Sequence, residues 1–307
     1  MARTRRLKFH GEDVYYHLIS RTVGQEFYLG NAEKEFLMSL ISYYSSLYFV
    51  KLIGFTILDN HFHIIIKSEH YSDYLDSEIE KRLQQKSHNK KLTAAKKVEL
   101  LEKLSDISEY MKSIKENFSR WYNRENNRIG YFWGDRFKNI ILEKGTPLAQ
   151  CLAYVDLNAV RANIVERPED YRWCSINARV NGTPISKLLY FTGVIGNEKL
   201  SRREQIRSYR KFLYGIGVAQ TGTGKGKIPK KIADAELDKN FEITNSEALF
   251  GKIRHFSYGC AIGTEGFIAE MYSRFENRGI YKKSRDFFKT GISPGIFSLQ
   301  RLKPLGY

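Results

Sequence analysis

The order of apolar and polar positions changes period several times along the first 165 residues. Val14–Arg21 is a run of β-branched and aromatic residues closed by Gly24, which predicts a strand. From Asn31, Phe36, Leu37, Leu40, Ile41 and Tyr44 recur at helical spacing, so a helix with Asn31 as N-cap is expected to about Tyr48. Residues 49–58 and 61–67 return to strand character and are joined by Asp59-Asn60, a hairpin. Residues 72–126 are charged and periodic, predicting two helices separated by the Lys-rich stretch near 86–97. Residues 138–143 read as a fourth strand. Thr146 then reads as the cap of a helix with Pro147 at its first position, running to about Ala162 and stopped by Pro168. Beyond residue 190 the pattern is mostly helical, around 202–213, 246–256 and 264–275.

The expected fold is therefore α+β: an antiparallel sheet with helices on one face, followed by a mainly helical C-terminal extension. Residues 1–189 and 190–307 are read as two domains. With 307 residues and 42% hydrophobic content the chain can bury a core, which excludes wholesale disorder. Cys151, Cys174 and Cys260 are too few and too scattered for a disulfide framework or a four-thiolate zinc site. No run reaches the roughly 20 apolar residues of a membrane span. A soluble protein of a reducing compartment, the cytoplasm, is expected.

Charge adds a partner. Lys and Arg number 50 against 34 Asp and Glu, a net charge of +16. Residues 190–307 hold 21 basic and 11 acidic groups, so most of the surplus lies in the smaller part. A surplus of this size attracts polyanions and points to nucleic acid rather than to a membrane, since no basic stretch has the apolar opposite face of an interfacial helix. The Gly-rich run at 222–227 lacks the spacing of a phosphate-binding loop and reads as a flexible surface loop.

Two short patterns carry possible chemistry. His61 and His63 stand two apart on a strand, so both imidazoles share a face and can chelate a divalent ion. Such pairs also arise by chance. On the helix after Pro147, Tyr154, Asn158 and Arg161 form one stripe at i, i+4 and i+7, either gathered around a partner or formed by a tyrosine on the sheet edge with solvated Asn and Arg. His17, on the first strand, is expected to pack or hydrogen-bond within the sheet.

These residues, with the tract Tyr131-Phe-Trp-Gly-Asp-Arg-Phe137, the Pro168-to-Ser175 segment and Tyr15-Tyr-His-Leu-Ile-Ser-Arg21, resemble the single-tyrosine HUH transposases. The likeness is nearest to their REP-associated tyrosine transposase branch and covers about residues 10–180. It implies a ferredoxin-like catalytic domain that cleaves and rejoins single-stranded DNA beside a hairpin through a 5′-phosphotyrosine intermediate. By motif, Tyr154 would be the nucleophile, and His61, His63 and Asn158 would bind Mg2+ or Mn2+. Ala159 stands where the family often has Pro, which suggests a straighter helix.

Arg136, Lys138 and Arg161 are candidate phosphate contacts, and Arg3, Arg5 and Arg6 a candidate groove-binding arm. Trp133 is a candidate base-stacking surface, whereas Phe132 is expected in the core. A homodimer sharing its sites is compatible with the resemblance. Two further readings stay open: a DNA-hairpin-binding regulator that does not cut, and a metal phosphohydrolase with no covalent intermediate.

Overall fold

The computed structural model describes residue 9 and residues 13–87, 91–191, 200–219, 225–238, 259–276, 287–289 and 296–300. The expected helix at 246–256 and the arm at Arg3, Arg5 and Arg6 lie outside these residues.

Strand β1 (Val14–Arg21) lies between β3 (His61–Ser68) and β4 (Lys138–Leu142), antiparallel to both, and β2 (Val50–Ile57) completes the hairpin with β3. The resulting order β4-β1-β3-β2 is the ferredoxin-like arrangement, in which each crossover skips one strand. The sheet continues past β4. Strand β5 (Gly259–Thr264) pairs with β4 in parallel, and β7 (Ile296–Gln300) and β6 (Phe287–Lys289) follow antiparallel. The antiparallel expectation holds for the first four strands and is broken at this junction.

Helices cover both faces of the sheet, not one. On the first face, α1 (Asn31–Leu47) and α4 (Ile107–Glu125) bring Leu37, Ile41, Ile114 and Phe118 against Leu18, Phe62, Ile64 and Phe55. On the second, α5 (Thr146–Asp156) packs Leu148, Leu152 and Val155 against Ile19, Ile53, Ile65 and Ile140. A strand buried on both sides reads as a continuous apolar run, which is why residues 62–66 show no polar alternation apart from His63.

Between β3 and α4 the chain forms α2 (Asp76–Ser87) and α3 (Ala94–Leu104), so 72–126 holds three helices, not two. The missed boundary is at Asp106, whose carboxylate accepts from the Ser108 amide (2.6 Å) and starts α4 anew. The N-cap of α1 is Gly30, not Asn31, and that of α5 is Gly145, at φ +95°, with Thr146 and Pro147 in the first turn.

α5 is buried on nearly every side because α8 (Arg202–Val218) covers the face turned away from the sheet, with Tyr209, Leu213 and Ile216 in the same core. Its last residue, Asp156, fixes that contact. The carboxylate accepts from Ser175 Oγ (2.6 Å) and the Ile176 amide (3.0 Å) at the start of α7 (Ser175–Asn181), and from the Tyr209 hydroxyl (2.7 Å). A second buried set ties α8 to α9 (Lys230–Leu237): Arg210 bridges Glu169 and Glu236, and the Tyr214 hydroxyl donates to Glu169 (2.9 Å). α10 (Glu265–Glu276) packs Ile268 and Met271 on the first face.

The approach of α5 to β2 requires a missing side chain. A Cβ built on Gly54 would stand 2.2 Å from Leu152 Cδ1 and 3.1 Å from Ser175 Oγ. Gly54→Ala should therefore force Leu152 aside and cost about 1–3 kcal/mol, read as a lowered denaturation midpoint. An unchanged midpoint would show that α5 yields freely at this contact.

Candidate active site

Alternation along β1 and β3 decides what faces α5. Tyr16 and Leu18 point to the first face with Phe62 and Ile64, so His17, Ile19 and Arg21 share the second face with His61, His63 and Ile65. The register sets Ile19 opposite His63 and Arg21 opposite His61. Across these strands, α5 delivers Tyr154. Its ring meets His63 edge-on at 5.7 Å between centroids and His17 at 6.1 Å, and the His61 and His63 rings are 5.0 Å apart. The phenol and the His63 imidazole, distant in sequence, are neighbours, and His61 adjoins His63.

The stripe on the tyrosine's helix survives a break. Leu157, at φ −85° and ψ 1°, separates α5 from the single turn α6 (Asn158–Arg161), so the helix is interrupted despite Ala159. The hydrogen bonds from the Leu157 amide to Ala153 and from the Arg161 amide to Leu157 keep the phase. Arg161 accordingly holds its guanidinium 4.9 Å from the centre of the Tyr154 ring. Burial lowers the Arg161 pKa, and the negative charge of a Tyr154 phenolate and a hydrogen bond to the phenol oppose that. Asn158 lies one turn beyond Tyr154, buried, with its Nδ2 unbonded among the described residues.

Both histidines are held through Nδ1. His61 Nδ1 is 2.6 Å from Asn60 Oδ1, and His63 Nδ1 is 2.8 Å from His17 Nε2. His63 Nε2 is buried and has no hydrogen-bond partner among the described residues. Burial, with Arg21 nearby, pushes the His61 pKa down to about 3 against a smaller opposing effect of Asp59. His63 is driven well below its ordinary value by burial, then by His17, His61, Arg21 and Arg161. Neutral rings with an unengaged buried nitrogen are what a cation needs from imidazole. Among the described residues no group of three or more His, Cys, Asp or Glu could hold a metal ion.

No protein-family model matches the chain, and no curated protein matches it. It is similar to a solved structure. That structure is of a REP-associated tyrosine transposase bound to a REP hairpin, 14% identical, with a TM-score of 0.41 over 66% of this chain and 95% of the other.

The remaining expected contacts divide. Lys138 pairs with Ile19, which in turn opposes His63, so Lys138 lies on the face of the histidines about 10 Å from His63 by strand spacing. Arg136 is exposed on a loop that adjoins the end of β1, where the Gly134 amide donates to the Arg21 carbonyl (3.0 Å). Trp133 is not placed for stacking on a base. It is buried on the first face against Phe62, Phe118 and Phe132, and its indole donates to the Lys115 carbonyl (2.9 Å). The exposed aromatic of that tract is Tyr131. Trp133→Phe should cost about 1 kcal/mol through the lost indole bond and leave affinity for single-stranded DNA unchanged, measured by fluorescence anisotropy. A large affinity loss in a folded variant would restore the stacking role.

Sequence reasoning missed two groups, Arg21 and Lys225; for His17 it expected a packing or hydrogen-bonding role within the sheet, and His17 bonds there to His63. Arg21 follows from alternation once Tyr15 is assigned to the second face. Lys225 had no local signal: the Gly-rich run reads as free loop, yet Gly226 donates to the Arg161 carbonyl (3.2 Å), and a Cβ there would stand 2.1 Å from the Val160 carbonyl oxygen. Lys225 sits close enough to Arg161 for that guanidinium, after burial, to lower its pKa.

Proposed function

We propose that the chain is a metal-dependent single-strand DNA endonuclease and strand transferase with Tyr154 as its nucleophile. The observation that carries this reading is the meeting of the Tyr154 ring with His63 beneath the Arg161 guanidinium. A tyrosine hydroxyl is a weak nucleophile, and a site that uses one must position it and neutralise the phosphate it attacks. Arg161 supplies positive charge beside the phenol oxygen, and Arg21, Lys138 and Lys225 extend it across the same face.

In the proposed reaction the phenol oxygen attacks phosphorus. The P–O3′ bond breaks, the phenol proton leaves, and the 3′ oxygen departs as a hydroxyl after gaining a proton. The 5′-phosphotyrosine conserves the ester bond, and a second 3′-hydroxyl reverses the step without ATP. His61 and His63, with Asn158, would hold Mg2+ or Mn2+. Such an ion polarises the scissile phosphate and offsets developing charge. The hairpin substrate, the phosphotyrosine intermediate and any homodimer belong to this proposal.

The deciding experiment incubates the full chain with hairpin-bearing single-stranded oligonucleotides and Mn2+ or Mg2+. A protein–DNA adduct that survives denaturation is expected, with the modified peptide containing Tyr154. Absence of any adduct across metals and substrates overturns the reading. A second reading, hairpin binding without cleavage, draws on the burial of Tyr154, which is 6% exposed. Tight binding with no adduct would select it.

A further inference from the structure

We propose that Asn60 and His17 are positioning residues that keep the ring proton of His61 and of His63 on Nδ1, leaving Nε2 of each as the lone-pair donor for a divalent cation. The inference rests on the metal-binding part of the reading above and goes beyond it by naming what selects the ligating nitrogen.

For His61 the bond directions can be assigned. Asn60 Nδ2 donates to the Gln25 carbonyl (2.8 Å), which accepts and cannot donate. That fixes the orientation of the amide, so the atom 2.6 Å from His61 Nδ1 is Oδ1, an acceptor. An acceptor there requires hydrogen on Nδ1. A neutral imidazole carries one N–H, so Nε2 is bare.

Asn60 is itself locked. Its carbonyl accepts from the Thr22 amide (2.9 Å) and from Thr22 Oγ1 (3.1 Å). Its amide is fixed by a turn in which Gly24 and Gln25 both have positive φ, +65° and +63°. A left-handed glutamine is uncommon and persists where the surroundings impose it. Here the strained residue supplies the carbonyl that orients Asn60.

For His63 the partner is His17 Nε2 at 2.8 Å, with the rings stacked 5.0 Å apart. Either ring can hold the proton of this bond. The proposal assigns it to His63 Nδ1, which leaves the buried Nε2, without a hydrogen-bond partner among the described residues, as a lone pair that a cation can occupy and a proton would block. A hydrogen bond on the far nitrogen is the common way in which proteins orient a metal-binding imidazole. Here one such bond comes from the residue before the pair and the other from the neighbouring strand.

Two-bond proton–nitrogen spectra of the isotope-labelled, metal-free full chain at neutral pH test this directly. His61 and His63 are expected as Nδ1–H tautomers. Asn60→Leu should leave His61 as a tautomer mixture and weaken Mn2+ binding 10- to 100-fold, read by titration calorimetry. Asn60→Asp keeps the acceptor but loses the donor to Gln25, so it should retain the wild-type tautomer. An Nε2–H tautomer for either ring of the native protein overturns the corresponding assignment, and an unchanged His61 tautomer or Mn2+ affinity in Asn60→Leu overturns the role of Asn60. If Asn60→Leu does not fold, the native spectrum decides. Neither measurement involves DNA: the expected tautomers without a DNA adduct would sink strand transfer and spare this inference, and an adduct with the opposite tautomers would do the reverse.

Discussion

Tyr154→Phe is expected to abolish the denaturation-resistant DNA adduct, lowering its rate of formation by about 10³-fold or more. The change removes one oxygen and leaves the ring, which keeps its edge contact with His63 and its place under Arg161. The hydrogen bond from Arg161 is lost, at about 1–2 kcal/mol, so the variant should melt close to the native protein and still bind DNA. The measurement is adduct yield against time on a denaturing gel, with a melting curve on the same sample. An adduct formed equally well by a folded Tyr154→Phe protein would remove Tyr154 as nucleophile. Unchanged hydrolysis without any adduct would indicate a phosphohydrolase that does not need the phenol.

Asp156→Ala should lower the unfolding free energy by about 3–5 kcal/mol. Truncation strands Ser175 Oγ, the Ile176 amide and the Tyr209 hydroxyl, each now bonded to the carboxylate, and leaves the buried Arg179 charge without its counter-charge. Burial pushes the Asp156 carboxyl pKa up, an effect that attraction from Arg179 and the three hydrogen bonds only partly offset. A raised pKa means the folded chain holds the proton more tightly than the unfolded one. The associated stability is present below the unfolded value of about 3.9 and is lost as pH rises through the folded value. At neutral pH the ionised form therefore carries a burial cost, so Asp156→Asn should destabilise less than Asp156→Ala. Denaturant melts of both variants check the order, and equal losses would contradict it.

The strands were legible because a both-sided sheet concentrates β-branched and aromatic residues in runs bounded by Gly24, Asp59-Asn60 and Gly145. That same burial hid which face each residue takes, since Leu18 and Ile19 are equally apolar. The histidine pair and the tyrosine stripe were legible through their spacing, but spacing could not bring β3 and α5 together. That contact depends on Gly54 and on Asp156, whose partners are distant in sequence. Trp133 was misread because an aromatic beside a basic residue looks alike whether it closes a core or meets a base. The role of α8 was missed for a related reason: Arg202, Arg203 and Arg207 dominate its composition, while Tyr209, Leu213 and Ile216 decide where it packs. Tyr171, whose hydroxyl donates to the Ile57 carbonyl (2.6 Å), shows that part of the Pro168-to-Ser175 segment seals the end of β2.

The helix that carries Tyr154 is gripped by the sheet below, by α8 above and by the backbone of Gly226 at its end. Swinging it out to serve a second copy would mean tearing open a core and discarding the bonds of Asp156. Within this fold a single polypeptide seats the phenol against the His63 imidazole, and lending that helix to another copy would have to undo both attachments.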